Sequence, residues 1–224
     1  MRRLGLCFCF WACSLLAIMA QSPEALRDSL TILNRQISQS PQSTDLRLKK
    51  AAVNIELNQW DYAVQEYGRV LKIDPKNLSA YYFRAYAHNY LHRYDLALAD
   101  YEAFLALMPR HFEAQLGRAM AKKNLGKVDE ALDDLNSLVQ MFPDSVFAFV
   151  ARAGFEAELQ QYELALFDWD EALRLQPRNV DFLVSKADVL ISLKRKKEAR
   201  LVLQKALAAG ASRSALKEWF DRCK

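Results

Sequence analysis

The stretch DYAVQEYGRVLKIDP, residues 61–75, decides the fold because it returns along the chain at a fixed interval of 34 residues. Its apolar residues recur with helical spacing, and it stops at a proline, which cannot continue a helix. The aligned copies are DLALADYEAFLALMP at 95–109, DEALDDLNSLVQMFP at 129–143 and ELALFDWDEALRLQP at 163–177. A fifth copy, KEARLVLQKALAAGA at 197–211, ends on alanine where the others have proline. A fixed interval of this length indicates a repeat protein.

Four columns of residues are kept in all five copies. Counted back from the proline position, they stand at 24, 18, 12 and 8 residues: Ala51, Ala85, Ala119, Ala153 and Ala187; Leu57, Leu91, Leu125, Leu159 and Leu193; Ala63, Ala97, Ala131, Ala165 and Ala199; Tyr67, Tyr101, Leu135, Trp169 and Leu203. Two helices approach closely only where their side chains are small, so the alanines predict the crossing point of a helical hairpin. The large residue fills the neighbouring hollow.

With these columns and this period, the sequence resembles the tetratricopeptide repeat over about residues 44–213. The resemblance implies an all-α fold, a right-handed α-solenoid of helix-turn-helix repeats at 44–77, 78–111, 112–145, 146–179 and a degenerate fifth at 180–213. The tryptophan often found early in the first helix is absent, and the places hold Arg47, Tyr81, Gln115, Phe149 and Leu183. Stacked hairpins need ends that are covered. We expect capping helices at 21–43 and 214–224.

Residues 1–20 have the layout of a secretory signal peptide, with basic Arg2 and Arg3, an apolar run of seventeen residues and Ala20 before a polar stretch. We expect cleavage after Ala20 and an exported, periplasmic or extracellular protein. One alternative is a membrane anchor formed by residues 4–20, since seventeen apolar residues could just span a bilayer. Another is lipid modification at Cys13, although FWAC is a poor lipidation sequence. Membrane association is expected only if the segment stays uncleaved.

Composition excludes several classes of function. Apolar residues make up 52% of the chain, which suffices for a core. The formal net charge of +4 is too balanced to indicate nucleic-acid binding. Three of the four cysteines lie in the apolar run, so cleavage would leave only Cys223 and no internal disulfide. We therefore expect neither a metal site nor a cofactor.

A second pair of columns carries charge. The basic column is Lys50, Arg84, Arg118, Arg152 and Lys186, and the facing column is Glu66, Asp100, Asp134, Asp168 and Val202. A binding ladder or an acid–base set is one interpretation. We favour the structural one, an ion pair that ties the first helix to the second in each of the first four repeats.

Catalytic motifs are not apparent. His88 and His92 stand four apart on a predicted helix, but Asn89 replaces the glutamate of the metallopeptidase motif and no third ligand is in view. The sequence lacks a glycine-rich phosphate loop and a G-x-S-x-G elbow. The basic run KRKK at 194–197 is expected in a turn, where a solvated tip or contact with an anionic partner are both open. We expect a protein that is not an enzyme.

The candidate binding residues lie on the first helices of the second and third repeats. Tyr82, Tyr86, Asn89 and Tyr90 share one face, and the matching places in the next repeat are Leu116, Met120, Lys123 and Asn124. In proteins that the sequence resembles, this face lines the concave groove that takes a protein or peptide. An alternative is that the stripe only contacts neighbouring first helices. The fourth repeat offers Phe147, Val150, Gly154 and Ala157 at the corresponding places.

The function expected from the resemblance is therefore a non-catalytic interaction scaffold that binds a protein or peptide partner outside the cytoplasm, and not nucleic acid. The alternative is a structural, self-assembling subunit of an envelope complex. In that case the chain would self-associate through the C-terminal cap, where Trp219 and Phe220 are apolar. Light scattering of a chain truncated at Ser212 distinguishes the two, since the scaffold is a monomer with or without the cap.

We expect Asp134→Ala to lower the melting temperature clearly, because it leaves Arg118 without its buried partner. Loss of one member of a buried pair costs on the order of 3 kcal/mol. The matched change Glu130→Ala removes an exposed charge from the same helix and should have little effect. Equal shifts of the two melting temperatures in thermal unfolding would contradict the ion-pair interpretation.

Overall fold

A computed structural model describes residues 22–224, so the predicted signal peptide at residues 1–20 lies outside the described residues. All regular structure in residues 22–224 is α-helical, in twelve helices. The all-α prediction is therefore confirmed. The chain divides into two compact units, one ending at Asp74 and the other running from Pro75 to Lys224.

The first unit contains three described helices, α1 (Pro23–Gln39), α2 (Thr44–Glu56) and α3 (Trp60–Ile73). Helix α1 packs against α2, and α2 packs against α3 to form a hairpin. Its buried apolar side chains come from all three helices: Leu26, Leu33, Ala51, Ala63, Tyr67 and Val70. The predicted N-terminal capping segment at 21–43 corresponds largely to α1.

The second unit contains four successive hairpins and a short last helix. Its helices are α4 (Leu78–Tyr90), α5 (Tyr94–Leu107), α6 (Phe112–Asn124), α7 (Val128–Met141), α8 (Val146–Glu158), α9 (Tyr162–Leu175), α10 (Val180–Ser192), α11 (Lys196–Ala208) and α12 (Lys217–Arg222). Each helix from α4 to α10 packs against the next one along the chain, and α12 packs against α10 and α11. This stacking is the solenoid arrangement that the repeats predict.

The two alanine columns form the closest contacts of the hairpins. All ten alanines are at most 1% exposed. The large column beside them is also buried, from Leu135 at 0% to Trp169 at 6% exposed. The sequence columns therefore identify the residues at which the two helices of each hairpin meet.

The turn inside each hairpin uses a residue with positive φ, which the sequence does not announce. These residues stand 17 before the proline position and have φ between 57° and 76°: Asn58, His92, Gly126, Gln160 and Lys194. In each turn the residue that follows donates its backbone N–H to a carbonyl five residues earlier, for example Gln161 to Glu156 at 2.8 Å. This left-handed helix end normally favours glycine, yet only Gly126 is one.

The predicted ion pairs are present in the first four hairpins. Lys50 Nζ lies 2.9 Å from Glu66, which Arg47 and Arg69 also contact. Burial alone would raise the pKa of Glu66, but these three cations together lower it. In the second unit Arg84, Arg118 and Arg152 each donate two hydrogen bonds to their partner aspartates, at 2.6–2.9 Å. The fifth hairpin has Val202 instead, and Lys186 pairs with Asp170.

Gly117 on α6 leaves room for the ring of Tyr101 on α5. A Cβ atom added at Gly117 would lie 2.4 Å from Cζ of Tyr101, a distance that real Cβ contacts do not show. In the next repeat the corresponding places hold Leu135 and Ala151, a smaller side chain opposite a larger one. The size of the large column residue and the size of the residue at this place therefore change together.

We expect Gly117→Ala to lower the free energy of unfolding by about 1–3 kcal/mol, because the added methyl group overpacks the contact with Tyr101. Tyr101→Leu is destabilising by itself, since it removes buried ring area. The double variant, which copies the Leu135–Ala151 combination, should be more stable than the sum of the two single effects predicts. Strict additivity in urea unfolding would contradict a direct contact.

Candidate functional site

The first helices α4, α6 and α8 of the second unit lie side by side. Helix α4 contacts α6. From α6, the ammonium group of Lys123 lies 5.2 Å from the ring centre of Phe155 on α8 and pairs with Glu158 on the same helix. The candidate binding residues of α4 and α6 are therefore held on neighbouring helices, as the repeat register requires.

Two of the predicted binding residues are mainly packing residues. The Tyr82 ring lies 5.6 to 6.2 Å from the rings of Tyr101, Phe104 and His111, in contact with both α5 and the start of α6. Burial is the main reason that the pKa of its phenol is raised, and Glu113 and Tyr86 add to the effect. Leu116 is only 9% exposed and belongs to the core formed with α7 and α8. Its side chain offers almost no area to a partner, because it points into the stack.

The rest of the α4 stripe remains accessible in part. Tyr90 is 56% exposed and Tyr86 is half-buried. Asn89 donates to the Tyr101 hydroxyl at 3.4 Å, while its amide oxygen is buried and has no hydrogen-bond partner among the described residues. A buried acceptor without a donor costs free energy. An N–H group of a partner at this place would remove that cost.

The α6 residues differ from one another. Met120 is half-buried against the α6–α7–α8 core, and Asn124 is exposed with its amide donating to the Met120 carbonyl at 2.8 Å. Lys123 is 26% exposed and is engaged by Glu158 and by the Phe155 ring. Its charge is therefore largely committed within the protein.

Phe83 and Phe147 extend the accessible apolar area of these helices. Phe147 on α8 is 56% exposed, and Phe83 on α4 is 42% exposed with its ring 5.2 Å from that of Tyr82. The sequence analysis did not include Phe83, although it precedes Tyr86 and Tyr90 by three and seven residues and so lies on the same side of α4. We call the accessible residues of this side the first-helix face: Phe83, Tyr86, Asn89, Tyr90, Met120, Asn124 and Phe147.

A buried column of changing chemistry lies behind this face. The place 21 residues before the proline position holds Asn54, His88, Lys122, Glu156 and Leu190 in the successive hairpins. In the second unit each polar member lies near the aspartate of its own ion pair. Lys122 is 3.0 Å from Asp134, and the ring of His88 is 4.0 Å from Asp100. Burial lowers the pKa of His88, while Asp100 opposes the shift.

Glu156 is the member of this column without a good partner. Arg152 gives its Nε and one Nη donor to Asp168 and the other Nη donor to Asn136. Glu156 lies 3.8 Å from the Arg152 Nε, is 5% exposed, and its Oε2 atom has no hydrogen-bond partner among the described residues. Burial, together with the charge of Asp168, raises the pKa of Glu156 from 4.5 to about 7.

His88 and His92 do not share a helix face. Helix α4 ends at Tyr90, and His92 lies in the turn with φ of 57°, where its Nδ1 is 2.5 Å from the Tyr94 hydroxyl. The prediction that both histidines lie on a helix is therefore wrong, since the helix ends before His92. In residues 22–224, no group of three or more histidine, cysteine, aspartate or glutamate residues is arranged to hold a metal ion.

The C-terminal residues proposed for self-association are partly used within the chain. Trp219 and Phe220 are half-buried against the core of the last two hairpins, and the guanidinium group of Arg213 lies 5.5 Å from the Phe220 ring centre. Cys223 is buried there as well. Self-association stays a prediction. Within the described part of the chain, no helix has both the length and the apolar character to cross a membrane.

Comparison with known families identifies the repeat. The sequence model described as tetratricopeptide repeat matches residues 87–146 and 156–214, which together make up more than half of the chain. The matched segments include most of the helices of the second unit. Among curated proteins, none matches the sequence significantly.

Several solved structures share the fold. A tetratricopeptide repeat protein from Parabacteroides merdae is 21% identical with a TM-score of 0.62, covering 89% of this chain and 78% of that one. YrrB, a repeat protein described as having an unusual peptide-binding site, is 16% identical with a TM-score of 0.61, over 80% of this chain and 92% of that one. MamA from Desulfovibrio magneticus is 16% identical with a TM-score of 0.66, over 74% of this chain and 94% of that one. At these identities the likeness concerns the fold.

We expect the free energy of unfolding to fall as the pH rises from 4.5 to 7, because the folded state holds a proton on Glu156 that the unfolded state has lost. Below pH 4.5 the group adds no penalty. Above pH 7 the penalty is complete, on the order of 2–3 kcal/mol at about 1.4 kcal/mol per pKa unit. Glu156→Gln should flatten this part of the curve and be more stable than the parent at pH 8. Urea unfolding across this range measures it.

The matched control for this prediction is Glu158→Gln, an exposed carboxylate on the same helix. It should leave the slope between pH 4.5 and 7 unchanged. If the slope survives in Glu156→Gln, another group is responsible for it.

Proposed function

Because this chain belongs to the tetratricopeptide-repeat family, we propose that it is a non-catalytic scaffold that binds a protein or peptide partner on its first-helix face. Repeats of this kind present side chains from successive helices at regular spacing, which suits recognition of another chain rather than chemistry. The YrrB structure shares the fold and is described as having a peptide-binding site, which supports the same class of partner.

The observation that carries the proposal is the group of accessible aromatic residues on neighbouring first helices. Tyr90 and Phe147 are each 56% exposed, and Phe83 is 42% exposed. Tyrosine and phenylalanine supply large contact areas while losing little conformational entropy, and tyrosine adds a hydroxyl group. Their backbones are fixed by α-helices whose opposite sides are packed on the hairpin cores, so the binding residues are preorganised.

Polar groups on the same face would fix the position of a bound chain. The unpartnered amide oxygen of Asn89 can accept an N–H, and the exposed Asn124 amide can donate and accept. Lys123 contributes little free charge, because Glu158 already pairs with it. The proposed site is thus apolar and hydrogen-bonding rather than electrostatic, and binding should depend weakly on salt.

The location that we propose is outside the cytoplasm. It rests on the sequence of residues 1–20, which has the basic start, apolar run and small final residue of a signal peptide. Anchoring through residues 4–20 is the alternative, and the mass of the protein recovered from the cell separates the two: cleavage after Ala20 shortens the chain, whereas an anchor keeps it whole.

The test replaces two tyrosines of the first-helix face. We expect Tyr86→Ala with Tyr90→Ala to lose most of the partner protein captured by the chain, because these residues supply accessible aromatic area at the centre of the face. Affinity capture followed by mass spectrometry identifies the partner, and a binding titration with that partner measures the loss.

Leu96→Ala is the matched control, since Leu96 is a 46% exposed apolar residue on α5, the second helix of the same repeat. It should bind like the parent, and helical circular dichroism should be equal in all variants. Undiminished binding by the tyrosine variant would contradict the proposed site.

A further inference from the structure

Charge is distributed unevenly along the chain. Residues 178–224 contain 12 lysines and arginines against five acidic residues, a net charge of +7. Residues 22–177 contain 17 basic against 22 acidic residues, a net charge of −5. The near-neutral total therefore hides a strongly basic C-terminal part. Such asymmetry indicates an anionic partner for that part.

Most of the basic excess lies on and beside α11. Lys194 is in the turn before the helix, and Lys196, Lys197 and Lys205 lie on the helix itself. All four side chains are exposed and have no ion-pair partner among the described residues. The excess is therefore free to meet a ligand.

The acidic residues nearby are already paired. Arg195 contacts Glu198 at 2.7 Å and Glu163 on α9 at 3.2 Å, and Lys186 pairs with Asp170. These contacts neutralise the carboxylates of this region without using the four lysines. The Arg195–Glu163 contact also shows that the first turns of α9 and α11 lie close together.

Three large apolar side chains protrude beside these lysines. Leu164 and Phe167 on α9 are 57% and 61% exposed, and Leu201 on α11 is 59% exposed. Lys197, Leu201 and Lys205 follow one line along α11, because residues four apart share a helix face. Earlier repeats hold Gln65, Ala99 and Asp133 at the place of Phe167 and Leu201. The apolar character is thus specific to the last two hairpins.

Between the two helices lies a shallow depression with an apolar floor. Leu166, Leu190 and Val202 line it together with Leu201, and Lys205 stands at its edge. The three protruding side chains are more exposed than this floor, so the surface presents apolar groups outward instead of enclosing a ligand. We call it the basic–apolar surface: Leu164, Phe167, Lys194, Lys196, Lys197, Leu201 and Lys205.

We propose that the basic–apolar surface binds an anionic lipid bilayer. Lysines beside a bilayer are attracted to acidic headgroups, and neighbouring leucine and phenylalanine side chains enter the boundary between headgroups and acyl chains. Protruding apolar groups fit a deformable bilayer, whereas an acidic peptide would need an enclosing pocket to bury them. The surface is separate from the first-helix face, so the scaffold holds its partner and a membrane at different sites.

The test measures side-chain oxidation in the full chain, because this readout is local to the surface. Hydroxyl-radical footprinting is compared with vesicles of phosphatidylglycerol and phosphatidylcholine, and with vesicles of phosphatidylcholine alone. We expect protection of Phe167 and Leu201 by the anionic vesicles only, reversed by high salt. Phe147, which is 56% exposed on α8, should stay unprotected and serves as the internal reference.

Two variants separate the electrostatic from the apolar contribution. Lys196→Glu, Lys197→Glu and Lys205→Glu together should weaken the salt-sensitive binding to anionic vesicles by more than about tenfold. The control reverses three exposed bases of the first unit, at Arg27, Arg35 and Lys72, and changes the net charge equally. It should keep the protection of Phe167 and Leu201.

Phe167→Ser with Leu201→Ser should also reduce the salt-sensitive binding. Its control replaces two comparably exposed apolar residues outside the surface, Ile32→Ser with Leu96→Ser, and should bind like the parent.

Four outcomes would overturn the proposal. They are absence of protection by anionic vesicles, equal protection by neutral vesicles, equal loss of binding in the two triple variants, and protection by polyglutamate but not by vesicles. The last would identify an acidic polypeptide as the partner. The Tyr86→Ala, Tyr90→Ala variant should keep vesicle binding, so failure here is distinguishable from failure of the first-helix face.

Discussion

Close approach of two helices at paired alanines is the constraint on which the rest of the structure depends. The ten alanines of the two columns are at most 1% exposed, so no larger side chain could replace them without separating the helices. The large column residue is buried beside them because the close approach leaves a hollow there. The ion pairs between first and second helix can form with short distances for the same reason. One geometric requirement thus explains three of the columns.

The hairpins tolerate different chemistry in one buried place while keeping that geometry. His88, Lys122, Glu156 and Leu190 occupy equivalent places behind the first-helix face. Lys122 adds a second cation to the Asp134 ion pair, whereas Glu156 adds a second carboxylate to a pair whose guanidinium donors are used. Because the backbone contacts are set by the alanines, this place can change from stabilising to destabilising without loss of the fold. The fourth hairpin is therefore the one whose stability responds to pH near neutrality.

The outer surfaces carry the differences through which repeats of one fold acquire separate partners. The first-helix face is aromatic and hydrogen-bonding, and its one lysine is paired within the protein. The basic–apolar surface on α9 and α11 has unpaired lysines around protruding leucine and phenylalanine side chains. Neither surface is required for the hairpin contacts, so both can vary independently of the core.

The sequence by itself determined the period, the helical hairpins, the buried alanines and the acid–base pairs, because these repeat and one physical rule acts on every copy. It also located the first-helix face by helical spacing. Only the tertiary structure decided which residues of that face remain accessible: Leu116 is buried by the α7 and α8 core, and Tyr82 is held by the rings of α5 and α6, while Phe83 is exposed. The left-handed residues in the turns were hidden as well, since four of the five are not glycine. Accessibility depends on neighbours that are distant in sequence, and the spacing of one helix contains no information about them.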